Sequence, residues 1–232
     1  MKICGFNKSS EAGPDIFAPS IFLGGCNLRC PYCMNSRLIF ECDKMDNIPL
    51  STIEGFVREN NCKWINISGG EPTCSGRGEL YCLIAEMKKW GCKVAMSTNG
   101  TNPCELEAIF PMLDYVTIDF KTSVNRYIEV GCSDGNNLLC SLMFLNYKKY
   151  CNRMFDFEIR TTLYPNLVGK DEINDIGCMI GLAKRWVLQP FRKTKTMLSE
   201  EAYTVKPYSI EEMESLVVIA RCYCKNVVLS HV

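Results

Sequence analysis

Two different spacings of apolar residues alternate along this chain. Short runs rich in valine, isoleucine and phenylalanine, which are typical of buried strands, are separated by longer stretches with helical periodicity. We predict strands at 20–24, 64–68, 93–97, 115–120, 157–161, 185–189 and 226–230. We predict helices at 51–61, 78–91, 103–113, 136–150, 170–185 and 209–224.

A strand followed by a helix recurs six times in this order of elements. Such repeats build a parallel sheet whose outer face is covered by helices. Because a complete barrel of this kind has eight units, six units predict an α/β fold of the partial (β/α)6 TIM-like barrel type, with a parallel sheet. No low-complexity segment or linker interrupts the pattern, so we expect a single domain over residues 1–232.

Capping residues mark several of the predicted helix ends. Ser51 and Ser209 are each followed three residues later by a glutamate, Glu54 and Glu212, which predicts a capping box at both positions. Gly91 follows a Lys-Lys-Trp turn and predicts a glycine stop for the second helix.

The charges of the chain balance, with 26 basic and 26 acidic residues. This balance offers no general attraction to nucleic acid or to an anionic membrane, so we expect neither as a partner. Residues 1–15 lack the apolar stretch of a signal peptide, and no run approaches the roughly 18 apolar residues of a membrane span. The expected location is therefore the cytoplasm.

Histidine is nearly absent, because His231 is the single histidine of the chain. Serine–histidine catalysis, histidine-ligated zinc and imidazole acid–base chemistry are therefore not expected.

Cysteine is abundant, with sixteen residues in 232. Most of them stand alone, and we predict that such isolated cysteines are small buried hydrophobic residues in a reducing compartment. The isolated cysteines include Cys62, Cys92, Cys104, Cys140 and Cys178.

Polar or glycine-rich clusters follow almost every predicted strand. They are CNLRCPYC (26–33), SGGEPT (68–73), STNG (97–100), DFKT (119–122), IRTT (159–162) and LQPF (188–191). The carboxyl ends of parallel strands meet at one edge of a sheet, where such folds place their chemistry. We therefore expect these clusters to share one edge.

The first cluster holds three cysteines, Cys26, Cys30 and Cys33, at spacings of four and three. A structural zinc site would need a fourth ligand, for which Cys42 is the nearest thiol downstream. Three thiolates alone would leave a metal with an open position, as catalytic metal sites do. The spacing by itself leaves both interpretations open.

The chain closely resembles the radical S-adenosylmethionine enzymes in two segments. These are CNLRCPYC, which has an aromatic residue before its third cysteine, and the GGEP that follows the second strand. The resemblance implies one 4Fe–4S cluster held by Cys26, Cys30 and Cys33, with one iron open to S-adenosylmethionine. In this family, reductive cleavage of that cofactor gives methionine and a 5′-deoxyadenosyl radical, which abstracts hydrogen from the substrate. No histidine is required.

The resemblance also implies where the methionine part of the cofactor binds. Gly69, Gly70 and Glu71 match the GGE motif, which holds the methionine amino group in the family. Two glycines let a backbone approach closely, and a carboxylate suits an ammonium group. The same residues are also compatible with an ordinary turn from strand to helix.

Further cofactor-binding residues follow from the same resemblance. Tyr32 matches the aromatic residue beside adenine, and Gln189 lies where the last strands of the family close over adenine. Thr98, Asn99 and Gly100 resemble the TNG segment of the activating enzymes.

Over about residues 16–230, the chain is most similar to the activating enzymes of anaerobic ribonucleotide reductase and pyruvate formate-lyase. Asp119 and Lys121 match an Asp-x-Lys pair at the active site of that branch, and Arg160 matches an arginine near nucleoside and substrate. The resemblance implies cofactor binding by Asp119 and catalytic roles for Lys121 and Arg160. Solvated strand ends are the structural alternative for all three.

This branch implies a protein partner, because its members abstract hydrogen from a glycine of a glycyl-radical enzyme. It also implies a low-potential electron donor such as flavodoxin or ferredoxin. Three departures weaken the substrate assignment: Met34 stands where the branch usually has histidine, Ser97 stands where some members have an aspartate of a cation site, and a histidine late in some members has no counterpart. A radical enzyme acting on a small molecule, nucleotide or peptide, such as the 7-carboxy-7-deazaguanine synthases, therefore stays open, as does a zinc-stabilised binding module.

Overall fold

Eight strands form one sheet in which their spatial order is their order along the chain. The computed structural model describes residues 1–230, so His231 lies outside the described residues. The strands are β1 (Ile3–Gly13), β2 (Ile16–Leu23), β3 (Trp64–Gly69), β4 (Lys93–Thr98), β5 (Tyr115–Asp119), β6 (Asp156–Leu163), β7 (Arg185–Pro190) and β8 (Val227–Leu229). β1 is antiparallel to β2, whereas β2–β3, β3–β4, β6–β7 and β7–β8 pair in parallel. All seven predicted strands are confirmed as β2 to β8.

Six of the seven α-helices in residues 1–230 lie where the periodicity predicts helices, and the short first helix was not predicted. Within the described residues the helices are α1 (Ser36–Phe40), α2 (Leu50–Glu59), α3 (Arg77–Lys89), α4 (Pro103–Ile109), α5 (Asn136–Cys151), α6 (Lys170–Gly177) and α7 (Ile210–Ala220). The fifth predicted helix ends eight residues early, at Gly177. A side chain at Gly177 would come within 2.3 Å of the Tyr223 ring, so close packing fixes a glycine there.

The sequence pattern missed β1, the strand at the edge of the sheet. Its central residues, such as Asn7, Lys8 and Ser9, are polar and exposed, so the strand lacks the apolar run that marks a buried one. A charged side chain on an edge strand also discourages pairing with another chain. Asp15, in the left-handed region at φ 59°, lies in the turn to β2.

Two of the predicted helix ends are confirmed. Ser209 accepts from the Glu212 N–H while the Glu212 carboxylate accepts from the Ser209 N–H, which completes the capping box of α7. Gly91 directly follows the C-cap of α3 with φ 82°, a conformation that favours glycine.

The capping box predicted at Ser51 and Glu54 is wrong. Helix α2 begins one residue earlier, at Leu50, after Pro49, and no side chain caps it. Glu54 instead forms an ion pair with Arg58 one turn later. A proline fixes the backbone angle from which a helix starts, and this local constraint wins over the serine signal.

The prediction that isolated cysteines are buried is wrong for several of them. Cys92 is buried, but Cys104, Cys140 and Cys178 are exposed and Cys62 is half-buried. The sixteen cysteines all lie in the described part of the chain, and none of them forms a disulfide.

The chain divides into two compact units that interleave along the sequence. Unit 1 comprises Met1–Asn27, Asn35–Thr98 and Cys104–Thr117, and unit 2 comprises Leu28–Met34, Asn99–Pro103 and the chain from Ile118 onward. Fully buried side chains of unit 1 include Ile21, Ile53, Ile65, Ile67 and Val94, and those of unit 2 include Phe120, Phe157, Ile159, Leu145 and Trp186. In residues 1–230, no helix has both the length and the apolar character needed to cross a membrane.

Candidate active site

The residues predicted for the site fall in both units. Unit 1 contains Cys26, Gly69, Gly70, Glu71 and Thr98. Unit 2 contains Cys30, Tyr32, Cys33, Asn99, Asp119, Lys121, Arg160 and Gln189.

In unit 1, the two glycines after β3 clamp the backbone that leads into the cysteine loop. A Cβ at Gly70 would lie 1.8 Å from the Gly25 oxygen, and a Cβ at Gly69 would lie 2.3 Å from the Leu23 nitrogen. Gly70 N–H donates to Leu23 O at 2.9 Å, and Glu71 N–H donates to Gly25 O at 2.8 Å. The close approach that requires glycine here is therefore to the segment just before Cys26.

The Glu71 carboxylate is fully buried in unit 1 and is held by three donors. Its Oε1 accepts from Thr73 N–H at 3.0 Å, Thr73 Oγ1 at 2.7 Å and Thr98 Oγ1 at 2.6 Å. A buried carboxylate needs such donors to offset the loss of water. Thr98 thus links the end of β4 to the carboxylate that follows β3.

In unit 2, Cys30 and Cys33 form one turn beside a lysine. Cys33 N–H donates to Cys30 O at 3.0 Å, and the loop is fixed to the rest of the unit by Arg29 N–H, which donates to Val130 O at 2.7 Å. Burial raises the pKa of the Cys30 thiol to about 11, and the nearby Lys121 ammonium opposes that shift.

Lys121 and Asp119 form an ion pair at 3.0 Å beside this loop. Burial alone would lower the pKa of Lys121, but Asp119, Tyr32 and Cys30 raise it well above its usual value, so the ammonium is charged. Lys121 N–H also donates to the hydroxyl of the buried Tyr127 at 3.1 Å. The pair is therefore a largely enclosed polar group and not a solvated strand end.

Tyr32 is buried in unit 2 and packs at the head of a row of aromatic rings. Its ring centroid lies 5.1 Å from that of Tyr164, which lies 4.9 Å from Phe191 in an edge-to-face arrangement. Burial raises the pKa of Tyr32 well above its usual range, so its hydroxyl stays protonated. This hydroxyl is buried and finds no hydrogen-bond partner among the described residues.

Asn99 and Gly100 build the turn that follows β4. Asn99 Oδ1 accepts from Thr101 N–H at 2.9 Å and from Thr101 Oγ1 at 2.7 Å, which is an Asx-turn. Gly100 has φ 71° and accepts from Ser141 Oγ at 2.6 Å. The TNG segment is thus a rigid turn. Local hydrogen bonds or backbone angles explain the residue type at each of its positions.

Arg160 belongs to a charged cluster with two residues, Glu158 and Arg185, that the sequence patterns did not single out. Glu158, which is fully buried, accepts from Arg160 Nε at 2.7 Å and from Arg185 Nε at 2.8 Å. Glu158 and Arg160 lie on one face of β6, and Arg185 is the register partner of Glu158 on β7. The alternation of charges at positions 158 and 160 was a signal for this cluster. Arg160 is therefore not an exposed strand residue.

Gln189, half-buried at the end of β7, is the register partner of Thr162 on β6. The segment beyond it hydrogen-bonds the cysteine loop of unit 2. Thr196 Oγ1 donates to Met34 O at 2.7 Å, and Ser199 N–H donates to Pro31 O at 3.0 Å.

The zinc alternative needs Cys42 beside the three cysteines of the CNLRCPYC loop. Across residues 1–230, no three histidine, cysteine, aspartate or glutamate side chains are grouped so that they could hold one metal ion. Cys42, the fourth ligand of the zinc alternative, packs in unit 1, where its carbonyl is 3.9 Å from Cys4 Sγ. Within unit 2, the Cys30 and Cys33 thiols and the Tyr32 hydroxyl, which has no partner among the described residues, are groups suited to an iron–sulfur cluster and its organic cofactor.

Comparison with known proteins supports this conclusion. The profile of the Radical SAM superfamily matches residues 20–162. A Methanocaldococcus jannaschii protein provisionally named glycyl-radical enzyme activating enzyme MJ1227 is 31% identical over 216 residues, which cover 90% of this chain and 87% of that protein. The 7-carboxy-7-deazaguanine synthase of Neisseria meningitidis serogroup B is 33% identical over 129 residues, which cover 55% of each chain.

Solved structures show the same fold. Streptococcus suis SuiB bound to S-adenosylmethionine has a TM-score of 0.64 at 15% identity, and the match covers 91% of this chain but about half, 51%, of SuiB. TYW1 with a lysine-pyruvate adduct has a TM-score of 0.62 at 16% identity, covering 89% of this chain and 74% of TYW1. These likenesses confirm the predicted fold class. The chain belongs to the radical S-adenosylmethionine superfamily, whose members use a 4Fe–4S cluster and S-adenosylmethionine, and these are its cofactors.

Proposed function

We propose that this enzyme activates a glycyl-radical enzyme by abstracting hydrogen from one of its glycines. When bound, the cluster supplies the electron that cleaves S-adenosylmethionine to methionine and a 5′-deoxyadenosyl radical. The observation that carries the proposal is the enclosed Lys121–Asp119 pair beside Cys30, which belongs to the Asp-x-Lys pattern of the activating branch. The likeness to MJ1227 over 90% of the chain supports the same branch.

We assign the cluster to Cys26, Cys30 and Cys33. These three thiolates would hold the cluster and would leave one iron without a protein ligand, available to S-adenosylmethionine. Gly69 and Gly70 serve this arrangement by fixing the backbone that precedes Cys26. An external low-potential donor, such as flavodoxin or ferredoxin, supplies the electron, and we place the enzyme in the cytoplasm.

The organic cofactor binds to groups that the fold has already oriented. Glu71, held by Thr73 and Thr98, marks the methionine end, and Tyr32 supplies a hydroxyl that has no partner among the described protein groups. Asn99 and Gln189 complete the nucleoside end, and Asp119 also contributes to cofactor binding. Donors held in place before binding cost little reorganisation when the reaction occurs.

Lys121 and Arg160 act as the charged groups next to the reacting atoms. The Lys121 ammonium is protonated and held by Asp119, so it donates hydrogen bonds and does not accept a proton. The Arg160 guanidinium is fixed by Glu158, which also holds Arg185. Both side chains orient anionic groups of the cofactor or the substrate and keep those groups from binding in other positions.

The test is anaerobic reconstitution followed by incubation with the glycyl-radical enzymes of the host. We expect a brown protein with one 4Fe–4S cluster per chain and a glycyl signal in electron paramagnetic resonance. Lys121→Met should abolish the glycyl signal, whereas Lys170→Met, at an exposed lysine that starts α6, should retain it. If no glycyl-radical enzyme of the host gave a glycyl signal, the proposal would be wrong.

A second candidate is a radical enzyme that acts on a small, pterin-like molecule. The likeness to 7-carboxy-7-deazaguanine synthases over 55% of the chain favours it, as do Met34 and Ser97, which depart from the activating branch. Mass spectrometry of a reconstituted reaction with a reduced pterin distinguishes the two. A new product formed without any protein partner supports this second function.

A further inference from the structure

Helix α5 carries apolar residues on two opposite sides. One side is the core side, with buried residues at Leu138, Ser141, Leu142 and Leu145. The other side, which we call the outer stripe, consists of Met143, Tyr147 and Tyr150 on the helix and Met154 just beyond its end. The spacings of the outer stripe are four, three and four. At 3.6 residues per turn, Met143, Tyr147 and Tyr150 fall on one line along the helix, opposite the core side, and Met154 follows in the segment beyond the helix end.

The outer stripe is exposed. Met143 is 72% exposed, Tyr147 62%, Tyr150 76% and Met154 89%. A surface helix of a soluble domain ordinarily carries polar and charged residues on its outer side, while an apolar stripe at spacings of three and four is the pattern of a helix that pairs with another. The outer stripe therefore has the composition of a contact surface.

The charges of the helix are confined to its C-terminal end. Its charged residues, Lys148 and Lys149, lie in the last turn. The Lys148 ammonium lies 5.1 Å from the centre of the Phe144 ring and 5.9 Å from that of Tyr147, so it stays beside the aromatic rings. Lys149 is ion-paired with Asp156 at 2.6 Å. The outer stripe is thus formed by apolar and aromatic side chains, with the Lys148 ammonium beside Tyr147 at one edge.

The area of the outer stripe is sufficient for a dimer. Large side chains such as these bury on the order of 150 Å² each when covered. Four of them on each of two copies give roughly 1,200 Å², the lower limit for specific protein–protein interfaces. On one copy the stripe amounts to about 600 Å², the upper end of the range for the largest apolar patch of a monomeric protein, and such patches are often functional.

We propose that two copies of this chain pair through the outer stripes of their α5 helices, with the helices antiparallel. A two-fold axis near Tyr147 sets each Met143 against the last turn of the other helix, around Tyr150, and each Met154 near Cys140 of the other helix. The stripe is therefore complementary to itself, as a two-fold interface requires. Antiparallel pairing also sets opposite ends of the two helix dipoles side by side. This proposal does not depend on the proposed function.

Sedimentation velocity on the full chain, under anaerobic conditions, tests the pairing. We expect a dimer at micromolar concentration. Tyr147→Glu places one glutamate from each copy next to the other inside the interface. This buried like-charge pair should raise the dimer dissociation constant by about 100-fold or more. Tyr147→Phe should remain dimeric. Val218→Glu, at a residue 62% exposed on α7, makes a comparable apolar-to-charged change away from the stripe and should also remain dimeric.

Met143→Glu provides a second variant, and circular dichroism with thermal melting shows that each variant is folded. Both glutamate variants should be folded monomers. A wild-type chain that stays monomeric at 100 micromolar would overturn the proposal, as would dimers that persist in both glutamate variants. If the wild-type chain is a monomer by itself and forms a complex only with an added glycyl-radical enzyme, the stripe would be a binding surface for that enzyme. This result would also overturn the proposed dimer.

Discussion

Thr98 Oγ1 donates a 2.6 Å hydrogen bond to Oε1 of Glu71, a fully buried carboxylate. Thr98→Val keeps the shape of the side chain but removes one of the three donors to that oxygen. We expect the free energy of unfolding to fall by about 1–3 kcal/mol, because the Glu71 carboxyl group remains buried with one donor fewer. Urea unfolding of the cluster-free protein measures this loss.

Thr98→Ser is the matched control, since it keeps the hydroxyl and should retain most of the stability. Equal stability of the valine and serine variants would show that the hydrogen bond contributes nothing.

The clamp of Gly70 on the cysteine loop gives a second prediction. Gly70→Ala places a methyl group 1.8 Å from the Gly25 oxygen, a backbone atom that cannot rotate away. We expect a loss of about 1–3 kcal/mol or more from this overpacking. We also expect reduced iron content after reconstitution, because the displaced backbone leads directly into Cys26.

Gly55→Ala is the control for this change. Gly55 lies inside α2, and a Cβ there meets nothing within 4 Å. This variant should gain about 0.5–1 kcal/mol, since alanine is the better helix former. If Gly70→Ala bound iron as wild type and unfolded no more readily, the clamp would have no role in holding the loop.

The strands could be predicted from the sequence because the buried ones are continuous apolar runs, as in β3 and β7. The polar edge strand β1 carries no such run, and the start of α2 was decided by Pro49, a local signal that competed with Ser51. Periodicity therefore located the buried elements well and the edge and boundary features poorly.

The site was predictable in its residue types but not in its internal contacts. Glycine at 69 and 70 signals a close approach, yet only the fold shows that the approaching group is the backbone of residues 23–25. In the same way, Glu158 and Arg160 alternate visibly on one strand, but the pairing of Glu158 with Arg185 depends on the register of β6 and β7. Contacts between distant segments are set by register and packing, which a single sequence does not encode locally.

Glu172 at the start of α6 gives a prediction about acid stability. Burial would raise the pKa of Glu172, but the Gly169 N–H and the Arg126 guanidinium, each at 2.8 Å, lower it below its usual value. A carboxyl whose pKa is lower in the folded state stabilises the protein above its unfolded pKa of about 4.3, and this stabilisation is lost as the pH falls through the folded value.

Glu172→Gln should therefore cost about 1–3 kcal/mol at pH 7, while wild type and variant should converge as the pH falls below the folded pKa of Glu172. Denaturant unfolding at several pH values measures the difference. A gap between the two proteins that stayed constant from pH 7 to pH 3 would mean that the charge of Glu172 is not the source of its contribution.

The Tyr32 hydroxyl leads to a prediction in which stability and cofactor binding move in opposite directions. This hydroxyl is buried without a partner among the described residues, so it costs desolvation in the cofactor-free protein. Tyr32→Phe should leave the free energy of unfolding unchanged or raise it slightly. If the bound cofactor supplies the missing partner, the same change should weaken S-adenosylmethionine binding to the reconstituted enzyme by about 5–10-fold, the equivalent of one hydrogen bond.

Tyr127→Phe is the matched control, because the Tyr127 hydroxyl already accepts from Lys121 N–H at 3.1 Å. That variant should lose about 1 kcal/mol of stability, since its hydrogen bond belongs to the folded protein itself. Calorimetric titration with S-adenosylmethionine, paired with urea unfolding, separates the two variants. Should Tyr32→Phe destabilise the cofactor-free protein while binding S-adenosylmethionine as wild type does, its hydroxyl would serve the fold alone and would have no part in holding the cofactor.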